Sequence, residues 1–173
     1  MRYVIVSIVK GEAGDFNNNL RKEVFQKFKA KSSKLPAHFT IKSPFENENI
    51  YEVEEVLERF TQNNNKANYT LNGYDHFDDR VIFMKVDMSD EGKKLHDKLI
   101  DELSKVSYIN FDKKDGKNKI FHVTISSKKI KKIYNELWCY VNQFNCNFHC
   151  VFDNICIYKW EENTWKLHKE YLF

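Results

Sequence analysis

Along this chain apolar residues alternate with polar ones in some stretches and recur every three or four positions in others, and the two rhythms divide it into strands and helices. Tyr3 to Val9, apolar and rich in β-branched residues, predicts a first strand. Gly11 to Gly14 predict a turn, after which Asp15 caps a helix to about Ala30 that buries Phe16, Leu20, Val24, Phe25 and Phe28. Lys34-Leu35-Pro36 predicts extended chain leading into a strand at His38-Phe39-Thr40-Ile41, with Pro44 stopping it. From Asn49 to Gln62, Ile50, Val53, Val56, Leu57 and Phe60 fall on one helical face, with glutamates on the other. Tyr69 to Tyr74 and Val81 to Val86 predict paired strands around a polar loop, His76 to Arg80. Ser89 or Asp90 then caps a helix whose inner stripe is Leu95, Leu99, Ile100 and Leu103.

Asp112 to Lys119 is a charged, glycine-containing loop placed to act as a lid or an RNA contact in front of a strand beginning at His122. Past Ser126 and Ser127 the spacing predicts a helix to about Asn142, with Ile130, Ile133, Leu137 and either Trp138 or Val141 inward. Its first turn carries Lys128, Lys129, Lys131 and Lys132, which the helix dipole disfavours unless an anion sits nearby. Two strands, Cys146 to Trp160 with a bend near Asn154 and Thr164 to Tyr171, end the pattern.

The order strand, helix, strand, helix, strand thus occurs twice, and each middle strand carries the same four-residue pattern: His38-Phe39-Thr40-Ile41 and His122-Val123-Thr124-Ile125. On an extended chain His38, Thr40 and Lys42 share one face, as do His122, Thr124 and Ser126, while Phe39, Ile41, Val123 and Ile125 point the other way to be packed. One copy would be weak evidence, but two point to one site built twice, with the histidines expected on adjacent central strands and facing one pocket.

In HFTIKSPF and KIFHVTIS the sequence resembles the two-histidine phosphoesterases, the 2'-5' RNA ligase-like or cyclic phosphodiesterase family, whose signature is a pair of His-x-Thr/Ser-x motifs. Phe121 stands where a proline often precedes the second histidine, a departure that touches the approach to the strand rather than the chemistry. The resemblance implies an α+β fold of two lobes, each with an antiparallel sheet, facing each other across a pseudo-twofold cleft with helices outside. It also implies a metal-independent phosphodiesterase acting on 2',3'-cyclic phosphate ends of RNA or on small cyclic nucleotides. The catalytic residues would be His38, Thr40, His122 and Thr124. The rival readings are 2'-5' RNA ligation, a catalytically idle RNA- or nucleotide-binding module and, more distantly, a zinc-dependent hydrolase.

The residue chemistry agrees. Imidazoles titrate near neutrality and serve as base or acid, and threonine hydroxyls can donate to phosphate oxygens as charge develops. Lys42, Ser126 and Lys128 are further expected phosphate contacts by position. His76, His96, His149 and His168 lack the threonine two residues on and read as surface or packing residues. Neither cofactor nor metal is called for.

Charge sharpens this picture. The net charge is only +3, but Lys and Arg crowd positions 21 to 42 and 105 to 132, each stretch containing or adjoining one motif, as a phosphate-bearing partner would favour. Length, with 42% hydrophobic residues, fits a single domain over 1–173 with two lobes and a buried core. No apolar run is long enough for a membrane helix or a signal peptide, so a soluble, cytoplasmic monomer is expected. Cys139, Cys146, Cys150 and Cys156 contain no Cys-x-x-Cys pair and read as free thiols.

Overall fold

The computed structural model describes residues 1–173 as eight strands and four α-helices. In chain order they are β1 (Arg2–Ile8), α1 (Gly11–Phe28), β2 (His38–Glu46), α2 (Tyr51–Gln62), β3 (Ala67–Phe77), β4 (Val81–Met88), α3 (Asp90–Leu103), β5 (His122–Ser126), α4 (Tyr134–Val141), β6 (Asn147–Phe152), β7 (Asn154–Glu161) and β8 (Thr164–Leu172). The strands form two four-stranded sheets, β2-β1-β7-β8 and β5-β4-β3-β6, with every neighbouring pair antiparallel. Exchanging β2 with β5, β1 with β4, β7 with β3 and β8 with β6 maps one order onto the other, which is the twofold repeat expected of the α+β architecture.

The motif strands are not central. β2 and β5 are edge strands of different sheets, and they lie against each other where the sheets meet. Part of the reason is visible in β2. Tyr3 pairs with Phe45 and Ile5 with Lys42, so three steps along β2 oppose two along β1, and a second slip follows before Val6 pairs with Thr40. An edge strand with bulges tolerates a proline that has no N–H to donate. β2 therefore runs through Pro44 to Glu46 instead of stopping there.

The first helix also differs from expectation. Gly11, at φ +63°, redirects the chain so sharply after β1 that α1 begins there, with no separate turn. A Cβ on Gly14 would lie 2.1 Å from the Val9 carbonyl oxygen, so the helix fits this close to β1 only with glycine. The earlier start goes with a buried face of Ala13, Gly14, Asn17, Leu20 and Val24, while Phe25 is 45% exposed. After β5 the expected long helix is broken. Ser127 and Lys128 donate their N–H groups to the Lys31 carbonyl at 2.9 and 3.0 Å, Lys129 takes φ 61°, and only a 3-10 turn (Lys131–Ile133) leads into α4. The four lysines thus do not form an α-helical first turn.

β3 runs on through His76 and Phe77, which pair with Ile82 and Val81, so the expected loop of His76 to Arg80 narrows to its last three residues, while α2 and α3 follow the pattern. All five apolar residues named from Ile50 to Phe60 are buried, as are Leu95, Leu99, Ile100 and Leu103, and the Ser89 hydroxyl caps α3 by accepting from the Gly92 N–H at 3.0 Å. Helix α1 packs on β5 and β6, α3 on β3, and α2 on β8 and α3. One core spans both sheets, and Phe39 of β2 reaches into it, its ring 5.1 to 5.7 Å from those of Phe152, Phe121 and Tyr69. Burial of such a ring contributes about 1.5 to 3 kcal/mol. It also fixes which way the neighbouring His38 and Thr40 point.

Candidate active site

The approach to β2 is tied down before the motif begins. The Asn18 carboxamide of α1 accepts from the Ala37 N–H at 3.1 Å, and the Ala37 carbonyl accepts from the Val9 N–H at 2.9 Å. His38 opens the strand, and its Nδ1 lies 2.6 Å from the Pro36 carbonyl oxygen. His122 opens β5 in the same way, with Nδ1 3.0 Å from the Ile120 carbonyl oxygen. A carbonyl oxygen can only accept, so in both rings Nδ1 carries the proton and Nε2 is left for the cleft. The repeat thus extends below the sequence motif to a shared orienting bond, made in each case to the residue two positions back.

His38, Thr40, His122 and Thr124 are all half-buried, in contrast to the fully buried Phe39, Ile41, Val123 and Ile125 between and beyond them. The Phe77 and Phe83 rings pack against His122, each 5.1 Å away. Asn17 of α1 braces the second motif from behind, its amide donating to the Thr124 carbonyl at 3.3 Å.

Loss of water around the ring holds His38 down to about 4, with the charges of Arg21, His122 and Lys119 acting in the same direction against the bond to Pro36. His122 is lowered too, by burial first and then by Lys119 against its bond to Ile120. In the free protein both imidazoles are therefore neutral at neutral pH.

Two of the expected phosphate contacts are engaged elsewhere. The Lys42 ammonium is buried 2.7 Å from Asp115, whose carboxylate also accepts from the Ser43 and Asp112 N–H groups at 2.7 and 3.1 Å. The irregular register of β2 leaves Ile41 and Lys42 consecutive and both buried, so strict alternation fails from Lys42 onward. The same carboxylate ties the Asp112–Lys119 loop to β2. Ser126 is fully buried and donates to the Lys31 carbonyl at 2.9 Å. Lys128 is exposed.

The fold also brings Lys119 to the motifs, where its Nζ donates to the Thr40 carbonyl and its charge reaches both histidines. Burial lowers its ammonium to about 8 against the pull of Asp115. Arg21 lies near His38 in the same way. Both fall within the basic stretches of the sequence, but nothing in their local spacing marks them out. Nowhere do three His, Cys, Asp or Glu side chains cluster as a metal site requires, and all four cysteines are free. No helix is long and apolar enough to cross a membrane.

Two antiparallel sheets of matching order, whose contacting edge strands carry the paired motif, define a class, and solved structures share its fold. The protein TT0787 of Thermus thermophilus is similar over 99% of this chain and 97% of its own, at 12% identity and a TM-score of 0.71. LigT of E. coli, in its complex with 3'-AMP, is similar over 99% and 97% of the two chains, at 14% identity and a TM-score of 0.62. No curated protein matches the sequence itself. The profile of the 2'-5' RNA ligase superfamily does match, over residues 15–164, and the chain belongs to that superfamily.

Proposed function

We propose that this protein is a phosphodiesterase that opens 2',3'-cyclic phosphates, at RNA ends or in small cyclic nucleotides, by acid and base catalysis from His38 and His122 with no metal in the step. The observation that carries the reading is the matched pair of Nδ1 bonds to the Pro36 and Ile120 carbonyls on two strands in contact, which leaves both Nε2 atoms without a protein partner and available to a substrate. The superfamily assignment supports it, as does the solution of LigT structures with 3'-AMP and with NADP+.

We assign His38, held down to about 4, as the base and His122 as the acid. Its Nε2 takes a proton from water as the water oxygen bonds to phosphorus. His122, once charged, gives its Nε2 proton to the ribose oxygen as the P–O bond to that oxygen breaks. Thr40 and Thr124 donate their hydroxyls to the non-bridging oxygens, where negative charge grows. Proton exchange with water then resets both rings. The joining of RNA ends through a 2'-5' bond runs related steps in reverse.

The test is incubation with a short RNA ending in a 2',3'-cyclic phosphate, in excess EDTA, with the product end identified by mass spectrometry. Ring opening is expected. His38→Ala and His122→Ala should each lose about 100- to 10,000-fold in kcat/KM, and Thr40→Ala or Thr124→Ala about 10- to 1000-fold. Binding without turnover in the wild type would instead make the cleft a nucleotide-binding module. Full EDTA-resistant activity in a double histidine variant would remove both residues from the mechanism.

A further inference from the structure

Beside the histidine cleft, the segment from Ala30 to Pro36 that joins α1 to β2 forms one wall of an open groove of about 1050 Å³. Arg21, Lys22, Lys31, Lys34 and Lys128 line it, with no acidic residue among them, and Phe25, Tyr158 and Trp165 supply aromatic surface. The groove is held in shape by the protein itself. The Arg21 guanidinium donates to the Ser32 hydroxyl at 2.7 Å, to the Leu35 carbonyl at 2.9 Å and to the Ser33 carbonyl, while the Lys31 and Lys128 backbones bond to each other across it. One end is Pro36, the residue whose carbonyl orients His38, so the groove ends two residues from the first motif histidine.

Phe25 is the informative residue. A helical phenylalanine left 45% exposed, with the Lys29 and Lys31 ammonium groups each 5.9 Å from its ring centre, contributes little to the core. A ring flanked by cations is, however, what a stacked base joined to phosphates fits.

We propose that this groove holds the nucleotides immediately upstream of the reacting end of a single-stranded RNA, with Phe25 stacking on a base and Lys22, Lys31 and Lys128 facing phosphates. The inference rests on reading the cleft as a site for 2',3'-cyclic phosphates and narrows that reading: the preferred substrate is an oligonucleotide end, not a mononucleotide. An acidic peptide would match the charge but would have no reason to end at a phosphate-handling cleft.

The experiment compares kcat/KM for a 2',3'-cyclic mononucleotide and a hexanucleotide with the same terminal base, across a range of salt. The hexanucleotide should be favoured by roughly tenfold or more. That advantage should fall with salt, with a log-log slope of about −0.7 for each phosphate contacted. Phe25→Ala and the Lys22→Ala/Lys31→Ala pair, all exposed positions, should bring the ratio toward one, whereas Lys94→Ala on α3, outside the groove, should keep it. Equal kcat/KM for the two substrates in the wild type, or a ratio indifferent to the groove variants, would overturn the proposal and leave the phosphodiesterase reading standing. If neither substrate is turned over, that reading fails, and fluorescence anisotropy with a 3'-phosphorylated hexanucleotide decides the groove separately. Binding weakened by Phe25→Ala and Lys22→Ala upholds it, and absence of binding ends it.

Discussion

An imidazole deprived of water and set beside cations protonates late, and that governs how this cleft behaves with pH. On the proposed mechanism His38 has to be neutral to accept a proton, which it is above about 4, and His122 has to carry a charge that it holds only below its own lowered pKa. The bell in kcat/KM, which reports the free enzyme, should therefore peak on the acid side of neutrality. A bound phosphate reverses the balance by favouring imidazolium, so the descending limb of kcat should lie at higher pH than that of kcat/KM. The same argument predicts proton uptake when 3'-AMP binds at neutral pH, measurable by calorimetry in buffers of different ionisation enthalpy. No uptake, with coincident limbs, would contradict it. Lys119 lowers both histidines, so Lys119→Met should move both limbs of the kcat/KM profile upward in pH, whereas a purely structural lysine would change only their height. At this scale His38, Thr40, His122 and Thr124 were legible because alternation over three residues is all they need. Lys119 and Arg21 were not, since each reaches the cleft through the fold from outside the motifs.

Among the elements, β2 and the Asp112–Lys119 loop act as a unit because of one buried ion pair. Burial pushes the Asp115 carboxyl up, but the Lys42 ammonium and the Asp112 and Ser43 N–H groups outweigh it and hold it at about 2. Since the folded value lies below the ordinary 3.8, this contribution to stability is complete above that value and is lost as pH falls toward about 2. Asp115→Asn should cost about 3 to 5 kcal/mol in denaturant unfolding by leaving the Lys42 charge buried and unpaired. The variant should also lose this part of the wild type's acid sensitivity. An unchanged midpoint would mean that the loop is not held by the pair. The loop's position before β5 could be read from its composition, but its attachment could not, because Asp115 finds Lys42 across 73 positions of chain. Helix periodicity served well for α2 and α3. It failed at both ends of α1, where the Gly14 approach to Val9 and the exposure of Phe25 are set by neighbours outside the helix, and it failed for α4, where the Lys31 carbonyl draws the chain away.

For the molecule as a whole, the first sheet takes its strands from the two ends of the chain and the second takes all of its strands from the middle. The chain passes back from the second sheet to the first at Asp153, and Asn154 secures the crossing. Its fully buried carboxamide accepts from the Ile8 N–H at 2.8 Å and donates to the Ile8 carbonyl at 2.9 Å, in place of a further strand residue. Asn154→Ala should leave both backbone groups unpaired, at about 1 to 3 kcal/mol each, seen as a lowered unfolding midpoint with the slope unchanged. A neutral substitution would mean that the crossing is held by strand pairing alone. The twofold order of elements was readable from the sequence, as was the bend near Asn154. The interleaving was not, because periodicity assigns an element its buried face without naming the partner that buries it. This same crossing sets a timetable for a growing polypeptide. β1 and β2 leave the ribosome first and can pair with each other, but the other edge of β1 waits for β7, whose first residue comes 146 positions after Ile8. A nascent chain that has reached Phe152 already contains both motifs and every strand of the second sheet. Until β7 arrives, β1 has β2 as its one neighbour and the core shared by the two sheets stays open behind both motifs, so the strand that carries His38 and the strand that carries His122 gain their common support together.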